Sequence, residues 1–175
     1  MYFDDIQLER NTVSSPYNLI SNGNLYASSS GWTVSSGASR VSAAQPDGST
    51  GGVLKLTSAP YKQVYAELCV NVNLHGTESY LLSGWAMADS VPLRDSSRTF
   101  QLTAQVYYTD GTRDTAKQNP FSGYTWGQWQ YICVPIVPTQ PEKTVDRITV
   151  TCSYKYNANT AYFDDISLIS EDALS

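Results

Sequence analysis

Phe100-Gln101-Leu102-Thr103-Ala104-Gln105-Val106-Tyr107-Tyr108 runs directly into Thr109-Asp110-Gly111. Phe100, Leu102, Ala104, Val106 and Tyr108 alternate with Gln101, Thr103, Gln105 and Tyr107. A period of two puts the first set on one face of a β-strand and the second on the other. Asp110-Gly111 is a favoured type I′ pair, so a hairpin is expected there. The same alternation continues outward in both directions. Ile148, Val150, Cys152 and Tyr154 alternate with Arg147, Thr149, Thr151 and Ser153; Tyr80, Leu82, Gly84 and Ala86 alternate with Leu81, Ser83, Trp85 and Met87. Further strands are predicted at 18–21, 31–35, 53–58, 63–72, 129–137 and 161–168, separated by turn residues such as Asn22-Gly23, Pro46-Asp47-Gly48 and Pro138–Pro141. No long stripe of helical period occurs. Short strands with turns between them predict an all-β sandwich, jelly roll or barrel.

Composition narrows the function. The chain has 175 residues, 41% hydrophobic and only 15% charged, with net charge -5 and a pI of about 4.7. An acidic chain without a Lys/Arg cluster is a poor nucleic-acid partner. No apolar run reaches the length of a membrane span, so no membrane partner is expected. The 13 Tyr and 4 Trp outnumber the 4 Phe, which favours rings with a wet edge, although tyrosine is also a good strand former. Cys69, Cys133 and Cys152 lie in strand-like runs without metal spacing and read as small buried hydrophobes.

A repeat divides the chain. Tyr2-Phe3-Asp4-Asp5-Ile6-Gln7-Leu8 returns as Tyr162-Phe163-Asp164-Asp165-Ile166-Ser167-Leu168, matching at six of seven positions with an offset of 160 residues. That offset is the size of a whole sandwich domain. Residues 1–8 are therefore read as the last strand of a preceding tandem module and 9–17 as a linker; the alternative is that the first strand belongs to this module and resembles the last by chance. Residues 18–169 then form one complete β-sandwich module, and 170–175 begin the next linker. Neighbouring tandem modules are expected partners. The orphaned strand 2–8 is expected to pack on a sheet edge of its own module or on another chain, giving a strand-paired dimer.

The ordered series Asn18-Leu19-Ile20-Ser21-Asn22-Gly23-Asn24-Leu25, Gly31-Trp32-Thr33, Gly51-Gly52-Val53-Leu54-Lys55-Leu56, Tyr80–Ala86, Trp129-Gln130 and Tyr162–Leu168 resembles the jelly-roll carbohydrate-binding modules of the family 4/9/22 or family 16 type. Similar modules occur in tandem in large secreted bacterial proteins. The resemblance implies a two-sheet antiparallel β-sandwich (jelly roll), a structural calcium ion (Ca2+) and non-catalytic binding of a polysaccharide or glycan. It also implies a secreted or cell-surface location. The alternative is a structural spacer or adhesion module of a large tandem-repeat protein, with no sugar site.

Three metal ligands are expected. If Ile166 and Leu168 face the core, Tyr162 and Asp164 do too, while Asp165 points out. A core-facing carboxylate is costly unless paired or metal-bound, and the family aspartate at this position helps to hold calcium. Asp164 reads otherwise as a hydrogen-bonded structural carboxylate. The family pattern Asn-Gly-Asp-Phe-Glu corresponds to Asn22-Gly23-Asn24-Leu25-Tyr26, where Tyr26 replaces the glutamate. Asn24 and Asp47 are the remaining side-chain candidates. Fewer carboxylates mean weaker binding, and Asp47-Gly48 is also a plain turn sequence.

Sugar binding needs flat rings for C–H faces and amides or carboxylates for hydroxyls. Gln101, Gln105 and Tyr107 lie on the outward row of their strand and Trp85 on that of its own, so these four are expected to share one open sheet face. Trp85 reads otherwise as covered by a loop or the other sheet. Trp126, in Gly123-Tyr124-Thr125-Trp126-Gly127, is a cleft wall or a cap on the sandwich edge. Trp32 and Trp129 match structural positions. Enzymatic readings find no support in the sequence. His75 is the single histidine and sits in a turn sequence, and Glu67, Asp89, Asp95, Asp110 and Asp114 form no evident opposed pair.

Overall fold

The computed structural model describes residues 18–89, 98–123 and 127–170. The expected strand of 1–8, the 9–17 linker, Trp126 and residues 171–175 of the expected next linker lie outside these residues, whereas Ser170, expected to open that linker, ends the last strand. The strands are β1 (Trp32–Val34), β2 (Ala38–Ala44), β3 (Thr50–Thr57), β4 (Gln63–His75), β5 (Tyr80–Ala88), β6 (Thr99–Tyr108), β7 (Lys117–Pro120), β8 (Gln130–Ile136), β9 (Thr144–Lys155) and β10 (Thr160–Ser170). They form two five-stranded sheets, β1-β4-β9-β6-β7 and β2-β3-β10-β5-β8, here called the first and second sheet. Every strand pairing is antiparallel. The chain is an all-β two-sheet sandwich.

The core lies between the sheets and uses the alternating rows. Phe100, Leu102, Ala104, Val106 and Tyr108 of β6 are buried, as are Ile148, Val150, Cys152 and Tyr154 of β9. Phe100, Phe121 and Phe163 form a ring cluster with centroids 5.1–6.0 Å apart, and Tyr154 meets Phe100 edge-on at 5.6 Å. Edge-on and tilted pairs suit the ring quadrupoles and add to the area they bury. Trp32 is buried, and its Nε1 donates to the Asn22 carbonyl at 3.1 Å, which makes it structural. Trp129 is half-buried.

Several expectations need correction. Only Gly111 of the Asp110-Gly111 pair has positive φ (86°), whereas type I′ needs two such residues. The turn is a longer loop closed by Tyr108 N–H on the Thr112 carbonyl at 2.9 Å. The predicted strand at 18–21 reduces to a bridge between Asn18 and Ile169. Strands β2 and β7 escaped the sequence reading because neither shows an apolar alternation. Cys69 and Cys133 are exposed, and Cys152 alone of the cysteines is buried; all three are free thiols.

The largest departure lies in β10. Its pairing with β5 shifts between Asp164 and Ser167, and Asp165 adopts φ 48°. The bulge changes the parity of the strand. Phe163, not Tyr162, enters the core, and Tyr162 is outward and half-buried. Asp164 falls opposite Trp85, on the outward row, yet is fully buried. Ile166 re-enters the core beneath two glycines. A Cβ on Gly84 would lie 2.5 Å from Ile166 Cδ1, and one on Gly23 only 1.7 Å from the Ile166 carbonyl oxygen. The Gly23 carbonyl accepts from Ile166 N–H at 3.0 Å, so the 18–25 segment is bonded along β10.

A second polar knot closes the opposite end of β6. Asp114 accepts from Tyr108 Oη (2.8 Å), Thr139 N–H (3.0 Å) and Thr139 Oγ1 (2.5 Å). Burial pushes its carboxyl up, but the bonds from Thr139, Tyr108 and Gln140 outweigh it and hold the pKa below the ordinary value. The stabilisation is thus present above the unfolded carboxylate pKa and is lost as pH falls through the folded one. Asp114→Ala is expected to cost about 2–4 kcal/mol, with the difference from wild type shrinking toward acid in urea titrations. Gly23→Ala is expected to destabilise by a similar amount, about 2–4 kcal/mol, because backbone must move to admit the Cβ; an unchanged melting temperature would refute the interlock.

Candidate functional site

Strand pleat and register decide which polar residues meet. On the outer face of the first sheet the rows run across strands. Tyr65, Ser153, Gln101 and Pro120 form one row; Thr33, Glu67, Thr151, Thr103 and Gln118 form the next. Gln63, Lys155 and Thr99 flank them at one end. Most of these residues line an open groove of about 300 Å3, with Gln63, Tyr65, Glu67, Gln101 and Gln118 among its walls. Glu67 Oε2 accepts from Thr151 Oγ1 at 3.2 Å, and Gln101 Nε2 donates to Thr103 Oγ1 at 3.1 Å. The Gln63 amide donates to the Tyr156 hydroxyl. Tyr65 is 37% exposed at the groove and Tyr61, on the turn before β4, is 97% exposed.

The groove therefore offers amides, hydroxyls and one carboxylate beside a tyrosine ring. Such donors and acceptors can bind a polyhydroxylated ligand in several orientations, and a partly exposed ring can stack on its apolar face. Farther along the same face, Tyr107 Oη donates to Gln105 Oε1 at 3.0 Å, and Gln105 Nε2 donates to the Asp114 carbonyl at 3.1 Å. Gln105 and Tyr107 are thus fixed to each other, away from the groove walls that include Gln101.

Trp85 belongs elsewhere. Its strand lies in the second sheet and that of Gln101, Gln105 and Tyr107 in the first, so the outward rows face opposite sides of the sandwich. The expectation that these four residues share a face is wrong, because equal strand parity does not specify the sheet. Trp85 is half-buried and packs on Tyr131, 51% exposed, with ring centroids 5.1 Å apart at 45°. Leu81, Pro135 and Ile169 form a row on that face, which is more apolar than the groove. Tyr65, a candidate additional sugar-binding ring whose face the sequence leaves open, lines the groove, whereas sequence reasoning missed Gln63 and Gln118. The alternation of Tyr65 and Glu67 with Val64 and Ala66 puts the two on one row, but nothing local identifies their neighbours.

The expected metal ligands have distinct surroundings. Asp164 Oδ2 accepts from Gln45 Nε2 and Oδ1 from Asp165 N–H, each at 2.9 Å. Burial first, then the Asp165 charge, pushes its pKa up to about 7; Asp47 adds in the same sense. Asp47 Oδ1 also accepts from Ser49 N–H at 2.9 Å, and Asn24 Oδ1 from Tyr26 N–H at 3.3 Å. Among the described residues no three Asp, Glu, His or Cys side chains converge as a metal-binding group. Asp164 is a buried carboxylate beside the like charges of Asp165 and Asp47.

No family model matches the chain. It is 29% identical over 195 residues to the tRNA nuclease WapA of Bacillus subtilis (strain 168) and 28% identical over 191 residues to the tRNA3(Ser)-specific nuclease WapA of Bacillus spizizenii. The alignments span 99% of this chain and 7% of either relative. Among solved structures, the enzymatically active domain of bacteriophage CBA120 tailspike protein 4 aligns with TM-score 0.65 at 12% identity, covering 88% of this chain and 21% of that one. A Family 16 Carbohydrate Binding Module-2 aligns with TM-score 0.60 at 23% identity, covering 87% of this chain and 99% of the module. TmCBM61, solved with β-1,4-galactotriose, aligns with TM-score 0.54 at 16% identity over 87% of this chain and 97% of its own. At these identities the structural likeness establishes a fold shared with carbohydrate-binding modules.

Proposed function

We propose that this chain is a non-catalytic module that binds a polysaccharide in the groove on the first sheet. The observation that carries this reading is the alignment of Tyr65, Glu67, Gln101 and Gln118 around one open groove of about 300 Å3. Its fold, shared with carbohydrate-binding modules, supports the same substrate class. Glu67 stands in the groove rows without a second carboxylate among the described residues, an arrangement suited to holding hydroxyls. The module acts at a secreted or surface location beside other modules of a longer polypeptide. Titration with xylan, galactan and mixed-linkage glucan tests the reading. Tyr65→Ala and Gln101→Ala are each expected to weaken the best ligand by about 1–2 kcal/mol, while Trp85→Ala leaves it unchanged. Loss of binding in Trp85→Ala alone would move the site to the second sheet.

A second reading is favoured by the Trp85–Tyr131 pair and the small share of the curated relatives that the chain spans. In it the chain is a spacer whose second sheet packs on another part of a long protein. Failure to bind any polysaccharide, with Tyr131 protected from solvent in the longer protein, would favour this reading.

We also propose calcium as a structural ion. Asp164 is the central ligand, with Asp47, Asn24 and carbonyl oxygens of the surrounding turns completing the set. Calcium would neutralise the buried carboxylate and tie β10 to the neighbouring turns. Without metal, the raised Asp164 pKa gives a contribution that is full below the unfolded pKa and is lost as pH rises through about 7. Calcium competes with that proton, so its stabilisation should grow between pH 6 and pH 8. Calcium at 100 times its dissociation constant should add about 2.7 kcal/mol. Thermal melts in calcium and in chelator, for wild type and Asp164→Ala, measure this directly; an absent calcium shift in the wild type would overturn the proposal.

A further inference from the structure

The chain holds 11 Lys+Arg against 16 Asp+Glu, yet the outer face of the first sheet reverses that balance. Register places Lys155 at one end of the face and Arg147 and Arg113 toward the other, against the carboxylates of Glu67 and, bonded to Arg147, Asp146. Asp146, beside Arg147 along β9, pairs with it at 2.5 Å. Arg113 is exposed and makes no ion pair among the described residues.

Arg147, Tyr107 and Arg113 form one row, because Tyr107 is opposite both arginines. The two arginine backbones are thus two strand spacings apart, about 10 Å. Their side chains are long enough to converge on a group above Tyr107. The ring is fixed through its hydroxyl on Gln105, at 3.0 Å, and Gln105 is fixed on the Asp114 carbonyl. The Arg147 guanidinium stacks on that ring, 4.4 Å from its centroid, which sets the guanidinium plane. Arg147 Nη1 donates to Asp146 Oδ2, which leaves Nη2 and Nε to donate to an oxyanion from a fixed plane, a geometry that lysine does not supply. This row lies on the same face as the groove.

We propose that the Arg147–Tyr107–Arg113 row, farther along the face that carries the groove, is an anion subsite that selects an acidic polysaccharide, one whose sugars carry a carboxylate or a phosphate. The inference rests on the glycan-binding reading above. Lys155 at the other end of the face extends the attraction along the chain of the ligand.

Calorimetric titration of the whole chain with galactan, polygalacturonate, mannan and phosphomannan, at low and high salt, tests it. At low salt one acidic polymer is expected to bind about tenfold more tightly than its neutral counterpart. Preference for polygalacturonate assigns a carboxylate, and preference for phosphomannan a phosphate. High salt should erase the preference, as screening requires. The Arg113→Gln/Arg147→Gln variant should bind the acidic and neutral polymers equally and keep the wild-type affinity for the neutral one. The Arg113→Lys/Arg147→Lys variant should show a smaller preference than the wild type, likewise erased by salt. Equal wild-type affinity for acidic and neutral polymers overturns the anion subsite and leaves the glycan reading standing. A preference that survives in the glutamine variant also overturns it. Binding to none of the four polymers overturns both.

Discussion

The sandwich depends on how Ile166 is seated. One extra residue in β10 breaks its register with β5, and Asp165 absorbs the distortion at φ 48°. Ile166 can then fill the core only because Gly84 leaves room on the neighbouring strand. Gly23 supplies the complementary space on the other side and anchors the 18–25 segment to the strand. Ile20 and Leu25 of that segment are both fully buried. A bulge that looks like a local irregularity therefore fixes the parity of Phe163, the environment of Asp164 and the path of the entering chain. Bulges commonly serve to re-aim side chains in this way.

Two buried aspartates show how the surroundings decide what burial costs. Asp114 receives hydroxyl and backbone donors from Tyr108 and Thr139, which outweigh its loss of water. Asp164 receives one amide and one backbone donor, while Asp165 and Asp47 add negative potential. The first is a satisfied structural carboxylate. The second keeps an unmet demand for positive charge, and that imbalance motivates the calcium proposal. Donor count and neighbouring charge separate the two more clearly than exposure does.

Each sheet also treats its outer face differently. The first sheet carries amides, hydroxyls, Tyr65 and a few charges around an open groove. The second carries the Trp85–Tyr131 pair beside Leu81, Pro135 and Ile169. Polar alternation on the first suits a solvated or sugar-binding surface, while the apolar row on the second suits contact with other protein. The two surfaces can serve a module that holds a ligand on one side and its neighbours on the other.

The sequence by itself determined the all-β class, because a period of two is a local property of the strand. It placed β1, β3, β4, β5, β6, β8, β9 and β10 to within a few residues and assigned Gln101, Gln105, Tyr107 and Trp85 to outward rows. It also singled out Asp164 as a costly carboxylate, although by a core-facing parity that the bulge overturns. Tertiary structure alone decided the rest. Parity says that a residue leaves the core, but sheet membership says on which side, and membership is set by pairings distant in sequence. Trp85 was thereby separated from Gln101, and Tyr65 and Glu67 were brought beside it. The bulge at Asp165 was illegible for a related reason: Tyr162-Phe163-Asp164-Asp165-Ile166 reads as regular alternation until Gly23 and Gly84, far away along the chain, make the irregular register the one that packs.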